Sequence, residues 1–350
     1  MEQLEQFGWT DELSKQWQAI AEPGLVPARV VADFGTSLKI VTPAVVTAEL
    51  SGKLAHYSDP EAMPKIGDWV GVRLSSSGRS VIEILIPRRN EIARKVAGRQ
   101  VHKQIMAANV DLAFVLLALD NDFSTERLKR FLYQLSIDNI ASVIVLNKAD
   151  KAEDVSTYVE RVQSLKLPVV VSAAIDGTGG TEIMSYIGPG RTAILLGSSG
   201  VGKSTLTNQL LQREAQATKA VRVSDATGQH TTVHRELFVL PNGGLLIDSP
   251  GIRELQLWGT EEELAENFDD ITRLSARCKY NNCRHNGEKG CAIQQALRNR
   301  SLEAAHYASY IRMLAEVKGL RQKNTAQDHS NKRSRKNMDR QERDMQRDEW

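Results

Sequence analysis

The sequence has 350 residues, 41% hydrophobic and 25% charged, which fits a globular chain of two or three domains with ample core. No apolar run approaches the roughly 20 residues of a membrane span, and the acidic start MEQLEQFGWTDELSKQW lacks a signal peptide's layout, so the expected location is cytoplasmic. The net charge of +2 is uneven: residues 26–103 hold twelve Lys/Arg against seven Asp/Glu, and residues 318–350 hold ten against six, which suits either a polyanionic partner or a solvated surface.

In chain order, Leu4, Phe7, Leu13, Trp17 and Ile20 recur at helical spacing and predict one helix over 3–20, ended by Pro23 and Gly24. From 25 to 90 the texture changes to short β-branched segments broken by Gly, Pro and Ser. About five strands of a small barrel are expected there, OB-type, with an SH3-like barrel of similar texture. RRNEIARKVAGRQVHK (88–103) reads as a basic connector. Apolar strands at 110–119, 142–147, 168–173 and 192–197 then alternate with helices around 124–138, 153–165 and from about 203. That alternation predicts a mainly parallel sheet covered on both faces. Residues 235–241 and 244–249 predict a hairpin turning at Asn242 and Gly243. Beyond 260 the chain reads as polar helices, with one over 301–323 and a charged tail at 324–350.

GSSGVGKS (197–204) fits G-x-x-x-x-G-K-[ST] through Gly197, Gly202, Lys203 and Ser204, between a predicted strand and a predicted helix. Its glycines let successive N–H groups face phosphate oxygens, and the helix start adds positive potential. Lys203 would bridge the β- and γ-phosphates, and the Ser204 hydroxyl would ligate magnesium. LLIDSPG (245–251) places Asp248 to hold that magnesium through water and the Gly251 N–H to sense the γ-phosphate. In GQHTT (228–232), either Thr231 or Thr232 can complete the magnesium shell.

VIVLNKAD (143–150) precedes all of these. Asn147 ends a predicted strand, where open α/β sheets bind ligands. The Asp150 carboxylate can accept from guanine N1–H and its exocyclic amine, a donor pair adenine lacks; Lys148 would lie along the base plane. VVVSAA (169–174) offers Ser172 and Ala173 as further base contacts. Base recognition thus stands ahead of the phosphate loop, the order of a circular permutation, and the strand ending at Asp248 feeds the C-terminal region. Ile252 stands where many GTPases carry a water-orienting Gln. His230 is the nearest replacement, with a loop-stabilising role as its alternative.

The three cysteines, Cys278, Cys283 and Cys291, fall within fourteen residues, an odd count that argues against a disulfide framework. With His285 they form the complement of a closed structural zinc site, leaving no open position for hydrolysis at the metal.

Together these motifs closely resemble the RsgA (YjeQ) family of ribosome small-subunit-dependent GTPases, over about residues 25–320. With the N-terminal helix (1–24) and the charged tail (324–350), where this chain's ends depart from the family, the resemblance implies an OB-like barrel 25–90, a circularly permuted P-loop GTPase domain 91–255 and a zinc-binding helical domain 256–323. It implies hydrolysis of GTP to GDP and phosphate in late small-subunit maturation, stimulated by that subunit, with rRNA bound by the barrel and the zinc domain. Guanine contacts carry over to Asn147, Lys148 and Asp150. Phosphate and magnesium contacts carry over to Gly197, Ser198, Ser199, Gly200, Val201, Gly202, Lys203, Ser204 and Thr205. Zinc ligation carries over to the three cysteines and His285, and the family's switch histidine matches His230. Val233 replaces a third switch Thr found in many members. A monomer is expected. A nucleotide-dependent small-molecule kinase would need an acceptor pocket and base that the sequence does not offer. A nucleic-acid module with a degenerate nucleotide site is opposed by intact Lys203, Ser204 and Asp248.

Overall fold

The computed structural model describes residues 2–35, 37–42, 44–57, 60–75, 79–96, 102–212, 235–248 and 260–319. They divide into two compact units, Met1–Arg94 with Lys103–Leu255, and Lys95–His102 with Gln256–Trp350.

In the first unit the single helix predicted over 3–20 is two, Glu2–Glu5 and Asp11–Ile20. Gly8 makes the break: its φ is +86°, and a Cβ there would lie 2.5 Å from the Gly190 carbonyl oxygen. Thr10 restarts the helix, its hydroxyl accepting from the Leu13 N–H. The periodic apolar residues still share one cluster, with Phe7, Leu13, Trp17 and Ile20 packed against buried Leu4, Trp9, Trp69 and Ile86.

Strands β1 (Val26–Asp33), β2 (Leu38–Val41), β3 (Val45–Leu50), β4 (Trp69–Arg73) and β5 (Ser80–Leu85) follow. They pair in the order β1-β2-β3-β5-β4, and β4 returns to β1. Only the β3–β5 pair is parallel. The closed order, with helix Gly52–Tyr57 between β3 and β4, is that of an OB-type barrel and rules out the SH3-like alternative. Ala28, Val30, Ile40, Val70, Val72 and Ile82 fill it.

The expected basic connector is instead two strands, β6 (Glu91–Val96) and β7 (His102–Ala108), forming their own sheet. Charge concealed them in the sequence. In the fold part of that charge is paired: Glu91 takes Arg88 at 3.1 Å and Lys103 at 2.5 Å, while Ile92, Ile105 and Met106 are buried.

The α/β sheet comprises β8 (Leu112–Ala118), β9 (Ala141–Asn147), β10 (Val169–Val171), β11 (Thr192–Leu196), β12 (Arg235–Val239) and β13 (Leu245–Asp248). Its order is β10-β9-β8-β11-β13-β12, parallel except for β12. Period-2 alternation divides its side chains between two faces. Ala113, Val115 and Leu117 meet Leu128, Phe131 and Leu135 of helix Thr125–Ile137. Leu112, Phe114 and Leu116 meet Leu206 and Leu210 of helix Lys203–Leu211. The predicted hairpin turns at Asn242 and Gly243, whose φ is +80°. Its strand β12 also pairs with β1, Ala32 opposite Glu236, so barrel and α/β sheet are continuous.

Fully buried Arg29 secures that junction. Its guanidinium donates to the carbonyls of Phe7, Gly67 and Asn109 and, at 2.8 Å, to Thr192 Oγ1. Burial lowers its pKa to about 10, and among the described residues no carboxylate bonds it directly.

The second unit packs helices Glu261–Asn267, Asp269–Ser275, Ala292–Arg298 and 304–319 around Leu264, Phe268, Ile271, Ile293, Met313 and Val317. The helix predicted over 301–323 is the one described from 304 to 319; the tail at 324–350 lies outside the described residues. Among the described residues no helix is long and apolar enough to cross a membrane.

Candidate nucleotide site and metal centre

Because β8, β9, β10, β11 and β13 are parallel, their C-terminal ends share one edge. The helices after β8 and β11 cover opposite faces, so the chain reverses direction between these two neighbours. A crevice opens at such a switch point. The phosphate loop leaves β11 there.

The loop's shape requires its glycines. Gly197, Gly200 and Gly202 have φ of +148°, +78° and +103°. A Cβ on Gly197 would sit 2.6 Å from the Leu116 carbonyl oxygen of β8, and one on Gly202 would fall on Asn147 Nδ2. Lys203 opens the helix and folds its ammonium back onto the Gly197 and Ser198 carbonyls, at 2.7 and 2.8 Å. Ser204 and Thr205 follow on the first turn, half-buried. Ser199 and Gly200 are exposed at the loop tip, and Val201 is buried beneath it.

Asn147 ends β9 and ties three loops together. Its Nδ2 donates to the Val201 carbonyl at 2.8 Å, and its Oδ1 accepts from the Ala174 N–H at 3.2 Å. Only 2% of it is exposed, so it acts as a brace between the loop after β10 and the glycine-rich loop after β11. Lys148 takes a left-handed φ of 63°, which swings the chain off the strand and directs its ammonium to Asp120 at 2.8 Å. Asp150 is exposed in the turn Ala149–Lys151. Ser172 is buried, its N–H on the Leu146 carbonyl and its hydroxyl on the Thr178 carbonyl; Ala173 bridges to Thr178. Asp248 is 3% exposed at the end of β13, directly after Ile247, which pairs with Ile194 of β11. The geometry therefore brings Asn147, Lys148, Ser172, Ala173, the phosphate loop and Asp248 to one edge. His230, Thr231, Thr232, Val233, Gly251 and Ile252 lie outside the described residues.

Sequence reasoning missed a further contributor, the turn between β8 and Ser124. Asp122 Oδ2 accepts from Ser198 Oγ at 2.5 Å and from Arg127 at 2.7 Å. Arg127 and then Ser198 hold its carboxyl below the usual range. Burial would raise the Asp120 carboxyl, but Lys148 and the Asp122 N–H outweigh it and lower it. The available signal was Asp-Asn-Asp-Phe-Ser at a strand's C-terminal end, an Asx turn running into a helix cap.

In the second unit Cys278, Cys283, His285 and Cys291 bring their ligand atoms within 4.8 Å of one another. His285 adopts φ 58°, the tight local loop that its nearness to Cys283 demands. Its Nδ1 faces Cys278 and Cys291 at 3.5 and 3.4 Å, while Nε2 meets Ser275 Oγ at 3.0 Å, which fixes the ring. Cys291 caps helix Ala292–Arg298, accepting from the Gln294 N–H, and the Ala292 N–H points at Cys278 Sγ. Glu288 closes the loop by accepting from the Arg284 and Asn286 N–H groups. Burial and then the neighbouring thiols push Cys283 up to about 11. Three thiols at one point cannot all ionise without a cation, so the donor set fits a metal and no acid–base task.

The model of the RsgA GTPase family matches residues 85–258. The small ribosomal subunit biogenesis GTPase RsgA of Syntrophotalea carbinolica is 36% identical over 350 residues, covering 97% of this chain and 96% of its own. The protein of that name in Xanthomonas axonopodis pv. citri is 39% identical over 329 residues, with 90% and 88% covered. Among solved structures, the chain is similar in fold to YjeQ from Thermotoga maritima, with TM-score 0.58 and 23% identity over 84% of this chain and 99% of that one. It is also similar to YloQ, described as a circularly permuted GTPase, with TM-score 0.58 and 22% identity over 85% and 97%.

Proposed function

The chain belongs to the RsgA GTPase family, and on that premise we propose how its own residues carry out the work. It is a GTP hydrolase of small-subunit biogenesis that interacts with the ribosome and with GTP and GDP. In our reading Asp150 and Lys148 select guanine, the 197–205 loop holds the phosphates, and Ser204 with Asp248 holds magnesium, which neutralises phosphate charge when bound. Thr231 or Thr232 completes the magnesium shell. His230 orients the attacking water in place of the missing Gln. Cys278, Cys283, His285 and Cys291 hold one structural zinc, which braces the helices around it. The barrel and the zinc-bearing region contact rRNA, the small subunit accelerates turnover late in its maturation, and the protein acts as a cytoplasmic monomer.

The observation that carries this reading is the Asn147 brace, which joins the NKAD turn, the Ser-Ala loop and the phosphate loop. One nucleotide spanning base and phosphate positions fits that arrangement. The test measures phosphate release from GTP and ATP, with and without purified small subunits. Slow GTP turnover, little ATP turnover and stimulation by subunits are expected. Equal use of ATP would overturn the guanine assignment; indifference to subunits would overturn the partner.

A further inference from the structure

Residues 119–124 belong to none of the motifs above, yet they touch both halves of the candidate nucleotide site. The turn leaves β8 and is rigid for local reasons. The Leu119 N–H bonds the Asn147 carbonyl at 2.9 Å, the Asp122 N–H bonds Asp120 Oδ1 at 2.9 Å, and the Phe123 N–H bonds the Asp120 carbonyl at 3.0 Å. Ser124 then caps helix Thr125–Ile137, accepting from the Arg127 N–H. Phe123 is the anchor: its ring meets Tyr158 edge-on at 4.8 Å, and the Arg161 guanidinium lies over it at 4.7 Å. From this fixed turn two carboxylates reach in different directions. Asp120 holds the ammonium of Lys148 at 2.8 Å, and Asp122 holds the hydroxyl of Ser198 at 2.5 Å.

We propose that the 119–124 turn is a nucleotide-positioning element, in which Asp120 sets the base-side lysine and Asp122 sets the phosphate loop. The inference rests on the guanine-nucleotide reading of this site. Lys148 is a long, flexible side chain on a left-handed residue, and unpaired it would sample many rotamers. Held by Asp120, its stem is fixed before the base arrives, so less ordering entropy opposes binding. Ser198 is the second residue of the phosphate loop, and its bond to Asp122 fixes the entry of a glycine-rich segment that would otherwise be loose. The two carboxylates share one turn, so base and phosphate subsites are held in register by the same short stretch of backbone. Both act through other residues and touch no reacting atom, which makes them positioning residues.

The test is a double-mutant cycle read as GDP affinity and steady-state GTP kinetics on the full chain. Asp120→Ala should weaken GDP binding and raise KM for GTP by about fivefold together, with kcat within about twofold. Lys148→Ala should weaken binding more, and adding Asp120→Ala to it should cost little extra. Asp122→Ala and Ser198→Ala should likewise be non-additive, and Asp122→Asn, which keeps an acceptor, should recover most of the affinity. Unchanged affinity in Asp120→Ala, or additive losses in both cycles, would overturn the inference. A drop in kcat with unchanged KM would do the same, since it would place the turn in the chemical step. Failure of the wild-type chain to bind GDP would instead sink the guanine-nucleotide reading itself, so the two failures are distinguishable.

Discussion

The candidate nucleotide site and the candidate metal centre are built by opposite strategies. The first gathers residues from Asp120 to Asp248, which meet only because five parallel strands end on one edge. The second takes four ligands from fourteen consecutive residues, and a left-handed His285 and a helix cap at Cys291 suffice to close it. A site assembled by a sheet inherits the rigidity of the core beneath it. A site assembled by a loop must supply its own, and a bound cation is the means these donors suit.

The difference predicts which damage spreads. Lys203→Ala should lower GTP turnover by about 100-fold or more, because it removes the charge that would stabilise the transferring phosphoryl. Metal content and circular dichroism should not change, since the sheet below is untouched. Gly202→Ala should be as severe for binding, because the new Cβ falls on Asn147 and breaks the brace to the base-side loops. If either substitution also released metal, the two sites would not be independent.

Cys283→Ser tests the other side. The variant should lose its metal and, with it, helical signal and protease resistance in residues 260–319, while GDP affinity stays within about twofold. Structural metal sites contribute folding free energy directly, on the order of 10 kcal/mol in small domains, so a local melt is the expected result. Chelation of the wild-type chain should reproduce it. Retained metal and unaltered helicity would sink the zinc assignment, and a matching loss of GDP affinity would break the contrast between the sites.

Legibility in the sequence followed the same divide. The four residues of the candidate metal cluster stand in one run and could be read without any fold. The phosphate loop and NKAD were legible because each motif carries its own strand-and-loop context, and their order exposed the permutation. Asp120 and Asp122 were not, since their partners Lys148 and Ser198 lie 28 and 76 residues away and only β8–β9 and β8–β11 pairing brings them near. Arg29 was hidden for a similar reason: in sequence it is one basic residue in a strand, and only closure of the barrel beside Thr192 buries it. The β6–β7 pair was misread because hydropathy penalises charges that the fold neutralises across strands. The Gly8 break was lost inside an apolar period that the structure does preserve, with its turn interrupted.

The smallest predicted effect sharpens what the metal contributes to its own unit. Helix Glu261–Asn267 starts with a capping box: Thr260 Oγ1 accepts from the Glu263 N–H at 3.2 Å, and Glu263 Oε2 accepts from the Thr260 N–H at 2.7 Å. Thr260→Ala removes one half of that exchange and should cost about 1 kcal/mol. This helix supplies none of the four candidate ligands, so its cap and the metal stabilise the unit through separate contacts. The cost should therefore be the same with metal bound, read as a small drop in the melting temperature of the C-terminal region and no change in metal stoichiometry. A much larger loss, or release of the metal, would mean that the helices fix the ligand loop and the metal only decorates it.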